Sequence, residues 1–191
     1  MLLSVASEAQ VISFEDMSAL NALKCENGKA GISSYRYKFG QSSLIIRWQP
    51  GTVVTFENAP GLFEASRSRH GGIQVWFYDE GSQPAEMQLV FLTSDNREVC
   101  RMPYRLGFKG WRALWAKFGA DMGKKPNDAI SKMLLVFPQT SGVLYMDMLE
   151  FPETVPWKYM EDAQYSTSRT NFSMIPDIVR YREAVPDEND M

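Results

Sequence analysis

Apolar and polar residues alternate with a period of two along 31–39, 73–78, 87–92 and 144–150. Such a period turns one side of an extended segment to a core and the other to solvent or a second layer. Nearly every apolar run is strand-length. The pattern predicts strands over 11–14, 31–39, 43–49, 52–57, 72–78, 86–93, 98–108, 111–118, 131–137 and 142–151. Turn chemistry separates most of them. Gln49-Pro50-Gly51 suits a tight turn, and Asp79-Glu80-Gly81-Ser82 and Ser94-Asp95-Asn96 suit hairpin connections. About ten short strands with regular turns predict an all-β sandwich or jelly roll.

Two segments resist the strand reading. Leucines at helical spacing fall in 18–24, too short a stretch to define a helix. Residues 121–131, with Gly123, Lys124, Lys125, Pro126 and Asn127, read as an exposed loop. After Phe151 the alternation stops, and Pro152, Pro156, Pro176 and Pro186 punctuate the chain. Trp157, Tyr159, Tyr165, Phe172, Ile175 and Val179 make that region too apolar for a free linker. The expected organisation is a sandwich over 1–151, an irregular strap over 152–186 lying across it, and a frayed acidic tail over 187–191.

Composition narrows the class. The 191 residues are 45% hydrophobic and 13% aromatic, enough for a substantial core in one domain. A formal charge of −3 argues against a general nucleic-acid binder, which carries a basic excess. No apolar stretch nears the roughly 20 residues that span a bilayer. The first ten residues, with Leu2, Leu3, Val5 and Ala6, read either as a signal remnant or as an ordinary start; a basic n-region is missing. Cys25 and Cys100 lack metal-type spacing. Two buried thiols are expected, with one disulfide as the alternative in an oxidising compartment.

Several ordered stretches resemble one known domain. Phe108-Lys109-Gly110-Trp111-Arg112-Ala113 resembles the start of a strand in the N-terminal domain of chondroitin sulfate ABC lyases. Gly40-Gln41-Ser42-Ser43-Leu44 and the strand through Trp48 resemble that domain's G-x-x-S-L-x-W-x-W region, with Arg47 and Gln49 varying around it. Tyr145-Met146-Asp147 and Phe151 resemble its last core strand, and 156–186, with Ile178-Val179-Arg180, resembles its C-terminal strap. The resemblance implies a jelly-roll β-sandwich of the galactose-binding, carbohydrate-binding-module-like kind. It also implies a secreted or periplasmic setting and a helical catalytic toroid in the same polypeptide as partner. The family cleaves chondroitin and dermatan sulfate by β-elimination with His, Tyr, Arg and Glu residues of its central part. No catalytic residue carries over to this chain, which implies a non-catalytic accessory domain. Two alternatives stand beside it: an independent glycosaminoglycan-binding module, and a purely structural docking domain with an exposed apolar patch.

The residues that could carry chemistry are few. Elimination at a uronic acid needs a base, an acid and neutralisation of the carboxylate. His70 is the single histidine, in the basic stretch Arg67-Ser68-Arg69-His70-Gly71-Gly72. It reads as a solvated loop residue, or with Arg67 and Arg69 as a contact for sulfate or carboxylate groups, which guanidinium forks match. Along 72–78, Gln74, Trp76 and Tyr78 share the face opposite Ile73, Val75 and Phe77. That mixed face suits a glycan groove, or packs beneath a loop or strap; Tyr35 and Tyr37, alternating with Arg36 and Lys38, carry the same two readings. Trp111 and Trp115 are expected in the core. Arg112 needs a partner, with Glu150, Glu153 or Asp162 as candidates. No zinc or phosphate-loop constellation exists. A structural calcium is a candidate, because carbohydrate-binding jelly rolls often hold one between first and last strands. Glu15 and Asp147 would supply side chains and the glycine-containing stretches 28–31 or 40–42 carbonyls. The other reading makes Asp147 a sheet residue or salt-bridge partner.

Overall fold

The computed structural model describes residues 11–155. Ten strands form two five-stranded sheets. The first joins β1 (Leu23–Glu26), β4 (Val53–Glu57), β9 (Lys132–Val136), β6 (Glu86–Leu92) and β7 (Glu98–Arg105), in that spatial order. The second joins β2 (Lys29–Ser33), β3 (Ser43–Trp48), β10 (Gly142–Glu150), β5 (Gly72–Glu80) and β8 (Lys109–Lys117). Every pairing within the sheets is antiparallel. The chain is a β-sandwich, as its alternation predicts.

The inward half of each alternation makes one core between the layers. Leu44, Ile46, Val75, Phe77, Leu114 and Met146 from the second sheet meet Val54, Phe56, Leu89, Phe91, Met102 and Leu135 from the first, all essentially inaccessible. Full burial of each such side chain contributes about 1.5–3 kcal/mol before the entropy of ordering is subtracted. One end is plugged by Trp48 stacked on Phe137, with centroids 5.2 Å apart.

Loops are tied by buried polar groups. Asp79, fully buried at the end of β5, accepts from Gly81 N (3.1 Å), Ser82 N (2.9 Å), Ser82 Oγ (2.8 Å) and Gly107 N (2.7 Å). One carboxylate thus fastens the β5–β6 turn to the β7–β8 connection. The Gln49-Pro50-Gly51 turn forms as expected, with Gly51 at φ 82° and Thr52 N donating to Gln49 O at 3.0 Å.

The sequence reading departs from the structure in particular places. The 11–14 strand is a single bridge, Ile12 to Leu149. The 31–39 strand stops at Ser33, and 34–40 is a loop. A short helix α1 (Leu62–Arg67), which the alternation does not reveal, buries Leu62, Ala65 and Ser66. Met17–Ala22 is a 3-10 helix capped by Asp16, whose side chain accepts from Ser18 N, and it leads into β1. Both cysteines are free; Cys100 is buried and Cys25 half-buried. The first ten residues and 156–191, hence nearly all of the expected strap and the whole tail, lie outside the described residues. Of the strap's start, Thr154 bridges His70, and Val155 N donates to His70 O at 3.0 Å.

Candidate functional site

The outward half of the second sheet's alternation builds a second, smaller cluster. Register places Tyr78 of β5 opposite Trp111 of β8 and Tyr145 of β10, and Tyr145 opposite Ile45 of β3. The three rings meet edge to face, with centroids 5.5 Å (Tyr78–Trp111) and 5.9 Å (Tyr78–Tyr145) apart. All three are buried, and Ile45, Trp76 and Val143 pack against them. Trp111 therefore belongs to this outer cluster, not to the central core expected for it; Trp115, on the same side of β8, is half-buried. The indole Nε1 of Trp111 is buried and has no hydrogen-bond partner among the described residues.

Loop 34–40 lies over this cluster. The Arg36 guanidinium is 4.5 Å from the centroid of Tyr35 and 5.0 Å from that of Tyr78. The Lys38 ammonium is 4.7 Å from the Trp76 centroid. The loop's amides are received by acidic side chains. Asp147 Oδ2 accepts from Lys38 N (2.8 Å) and Phe39 N (2.9 Å), and its Oδ1 accepts from Met148 N (2.7 Å). The Glu15 carboxylate accepts from Gln41 N at 3.1 and 3.3 Å, and Ser43 Oγ donates to Arg36 O. Gly40, at φ 73°, lies so close that an added Cβ would sit 2.0 Å from Glu15 Oε1. The carboxylate end is flexible and can give way, so it is the left-handed backbone that favours glycine here.

Burial raises the Asp147 carboxyl to about 6, against the pull of its three amide donors; the nearby Glu15 charge adds to the rise. Burial and the Glu80 carboxylate raise the Tyr145 phenol to about 12, and its Oη donates to Glu80 Oε1 at 3.2 Å.

The expected site residues divide into two groups. Gln74, Trp76 and Tyr78 lie on the outer face as predicted; Tyr78 is buried in the cluster, Trp76 and Gln74 half-buried. Arg67, Arg69 and His70 are exposed at the end of α1 and in the segment before β5. Arg67 sits 5.7 Å from the Phe63 ring centroid. Trp76 is four residues, roughly 13 Å, beyond the start of β5, so the basic stretch and the rings do not form one site. The cations that do meet the rings are Arg36 and Lys38. The signal for them was present in the sequence, since both interleave with tyrosines. The separation of 109 positions between Lys38 and Asp147 hid the contact that folds them over the sheet. Arg112 lies 4.2 Å from the Phe108 ring centroid. Of its candidate acidic partners, Asp162 falls outside the described residues.

Glu15 and Asp147, the expected calcium side chains, both receive amides of residues 38–41, and the Glu15 charge reaches Asp147. Among the described residues no group of three or more His, Cys, Asp or Glu side chains converges there or elsewhere. Calcium takes six to eight oxygens. Here the lone pairs of Asp147 already face three N–H groups, and those of Glu15 a fourth. The pair is arranged to receive amide donors, with loop amides where the cation would need loop carbonyls.

Comparison with known proteins gives a consistent picture. A family profile described as "Lyase, N terminal" matches residues 8–167. The chain is 28% identical over 151 residues to the chondroitin sulfate ABC exolyase of Bacteroides thetaiotaomicron, a match covering 76% of this chain and 15% of that protein. The match therefore spans about one seventh of that relative's length. Among solved structures, an exo-β-agarase aligns with a TM-score of 0.59 at 10% identity, over 75% of this chain and 24% of that one. The family 11 carbohydrate-binding module of Clostridium thermocellum, solved with a β-1,3-1,4-mixed-linked tetrasaccharide, aligns with a TM-score of 0.54 at 11% identity, over 77% and 96%. The C-terminal family 22 module of Clostridium thermocellum Xyn10B aligns with a TM-score of 0.54 at 14% identity, over 77% and 92%. At these identities the structures establish the fold alone. No helix among the described residues is long and apolar enough to cross a membrane.

Proposed function

The chain belongs to the lyase N-terminal domain family, and from that premise we propose that it is a non-catalytic accessory domain of a secreted or periplasmic chondroitin or dermatan sulfate lyase. It supports the catalytic part of the polypeptide and helps position the polysaccharide. The observation that carries this reading is the match to one end of a much longer lyase. The chemistry of the described residues supports it. The single histidine is exposed, with its main chain paired to 154–155. Burial and the Glu80 carboxylate raise the Tyr145 phenol to about 12, far from a pH at which it would act as a base. The test is direct. The purified chain, incubated with chondroitin sulfate, forms no unsaturated uronate product by ultraviolet absorbance. Product formation would end the non-catalytic reading.

A second reading, an independent carbohydrate-binding module, is favoured by the aromatic outer face and by the likeness in fold to such modules. Saturable binding of a polysaccharide by the isolated chain would favour it. A docking role is favoured by Tyr35 and Phe39, each 63% exposed at the tip of loop 34–40, and by Met17 at 67%.

A further inference from the structure

We propose that the outer face of the second sheet, along β5 and β8, is the seat of this chain's own residues 156–191. The observation that carries this is a contrast between two edge strands. β7 and β8 each stand outermost in their sheet. On β7 the outward residues Arg101, Pro103 and Arg105 are exposed, as on an antiparallel sheet with one face in water. On β8 the outward residues are Trp111, Ala113, Trp115 and Lys117. Trp111 and Ala113 are each 1% exposed and Lys117 7%, and Trp115 is half-buried. An outermost strand is buried on both faces only where a further layer lies over it.

The described residues supply that layer only in part. Every member of the outer cluster comes from the sheet itself, and the cations of loop 34–40 meet rings on β5, Tyr78 and Trp76. The buried indole N–H of Trp111 has no acceptor among the described residues, whereas a face open to solvent would hydrate it. The path of the chain names the occupant. Gly72 has the parity of Gln74 and Trp76, and a Cβ added there would point outward and sit 2.7 Å from Val155 Cγ2. Val155, buried and bonded through its N–H to His70 O, has therefore already reached the outer face at the start of β5. The other end of the described chain is placed differently, since Ile12 bridges Leu149 and packs on the central core. From Gly72 to Tyr78 is roughly 20 Å along β5, a distance that residues 156–162 cover when extended. Trp157 and Tyr159 alternate with Lys158, so an extended stretch turns both rings to the sheet and the lysine to solvent. On this placement the aromatic face is internal packing, and any saturable binding of a polysaccharide uses other residues.

Photo-cross-linking in the full chain tests this. The photoreactive residue p-benzoylphenylalanine replaces Trp115 on β8 or Gln74 on β5, both half-buried on the outer face, and in a third protein Arg101 on β7. Each protein is first checked for a parental urea midpoint, and either outer-face position suffices if the other fails that check. After irradiation at low protein concentration, peptide mapping should join positions 115 and 74 to peptides of 156–191 within the same chain, while position 101 should not capture them. Adducts confined to residues 11–155 would overturn the proposal, as would adducts to residues 1–10. A cross-linked dimer would make a second copy the occupant, and the absence of any adduct would leave the face bare; both overturn it. Equal capture of 156–191 from position 101 would show a segment with no preferred face and overturn it too. The non-catalytic reading stands or falls separately, on the product assay.

Discussion

Replacing Asp147 by asparagine should change how stability depends on pH. The carboxyl sits at about 6 in the folded chain, against 3.8 for the free group. Between those values the folded state binds the proton and the unfolded state does not. Its contribution is therefore fully present below about 3.8 and is lost as pH rises through 6. The difference of about two units corresponds to roughly 3 kcal/mol lost between pH 4 and pH 8, an upper figure for a group with three amide donors. Asparagine carries no charge. Its Oδ1 can keep the two bonds from Lys38 N and Phe39 N, while its amide nitrogen faces Met148 N–H and forfeits one bond, about 1 kcal/mol. The variant should be less stable than the parent at pH 4 and as stable or more stable at pH 8. Urea unfolding followed by tryptophan fluorescence at each pH measures the difference. Asp121 and Glu150, also raised by burial, are shared by both proteins and cancel. A difference that is flat with pH would refute the reasoning. So would a parent that gains on the variant as pH rises, the behaviour of a carboxylate bound to a cation. Repeating the series with calcium tests the cation directly: stabilisation of the parent but not of Asp147→Asn at pH 8 would show that the Glu15–Asp147 pair takes the metal.

Two further outcomes are expected. Asp79→Ala removes the acceptor of three backbone amides and one hydroxyl and should cost about 3 kcal/mol by urea unfolding; a loss under 1 kcal/mol would mean water replaces the carboxylate. Titration with a chromogenic disulfide should modify Cys25 in the folded chain and Cys100 only after unfolding, because burial lifts the Cys100 thiol to about 12. Rapid modification of two thiols would contradict its burial.

The strands were legible because each carries its own period of two and because a core between two layers demands it. Where reading failed, the missing information lay far along the chain. In 34–40 the alternation of Tyr35, Arg36, Tyr37 and Lys38 imitates a strand, yet two of the loop's amides are taken by a carboxylate on β10. Helix α1 is too short to display a helical period; its buried positions Leu62, Ala65 and Ser66 follow the spacing only once the ends are known. The 23–26 stretch does alternate, but the helical spacing of Leu20 and Leu23 masked the pattern. For the site, Trp76 and Tyr78 were assigned to the correct face by parity alone. Tyr145 and Trp111 were not joined to them, since parity says which side a residue takes and not which strands are neighbours. The basic stretch 67–70 drew attention for its composition, and register put it beyond the rings.

The two strands nearest the C-terminal side of the described chain, β9 and β10, are each the middle member of their sheet. During synthesis the ribosome releases β3 and β5 long before the strand that separates them. Until 142–150 emerge, the second sheet exists as two unconnected halves, each with a raw edge able to capture a neighbouring nascent chain. The domain must therefore lock late and all at once, with its tempo set by long-range pairing, and a chain cut short before that strand is a candidate for aggregation rather than for a smaller folded unit.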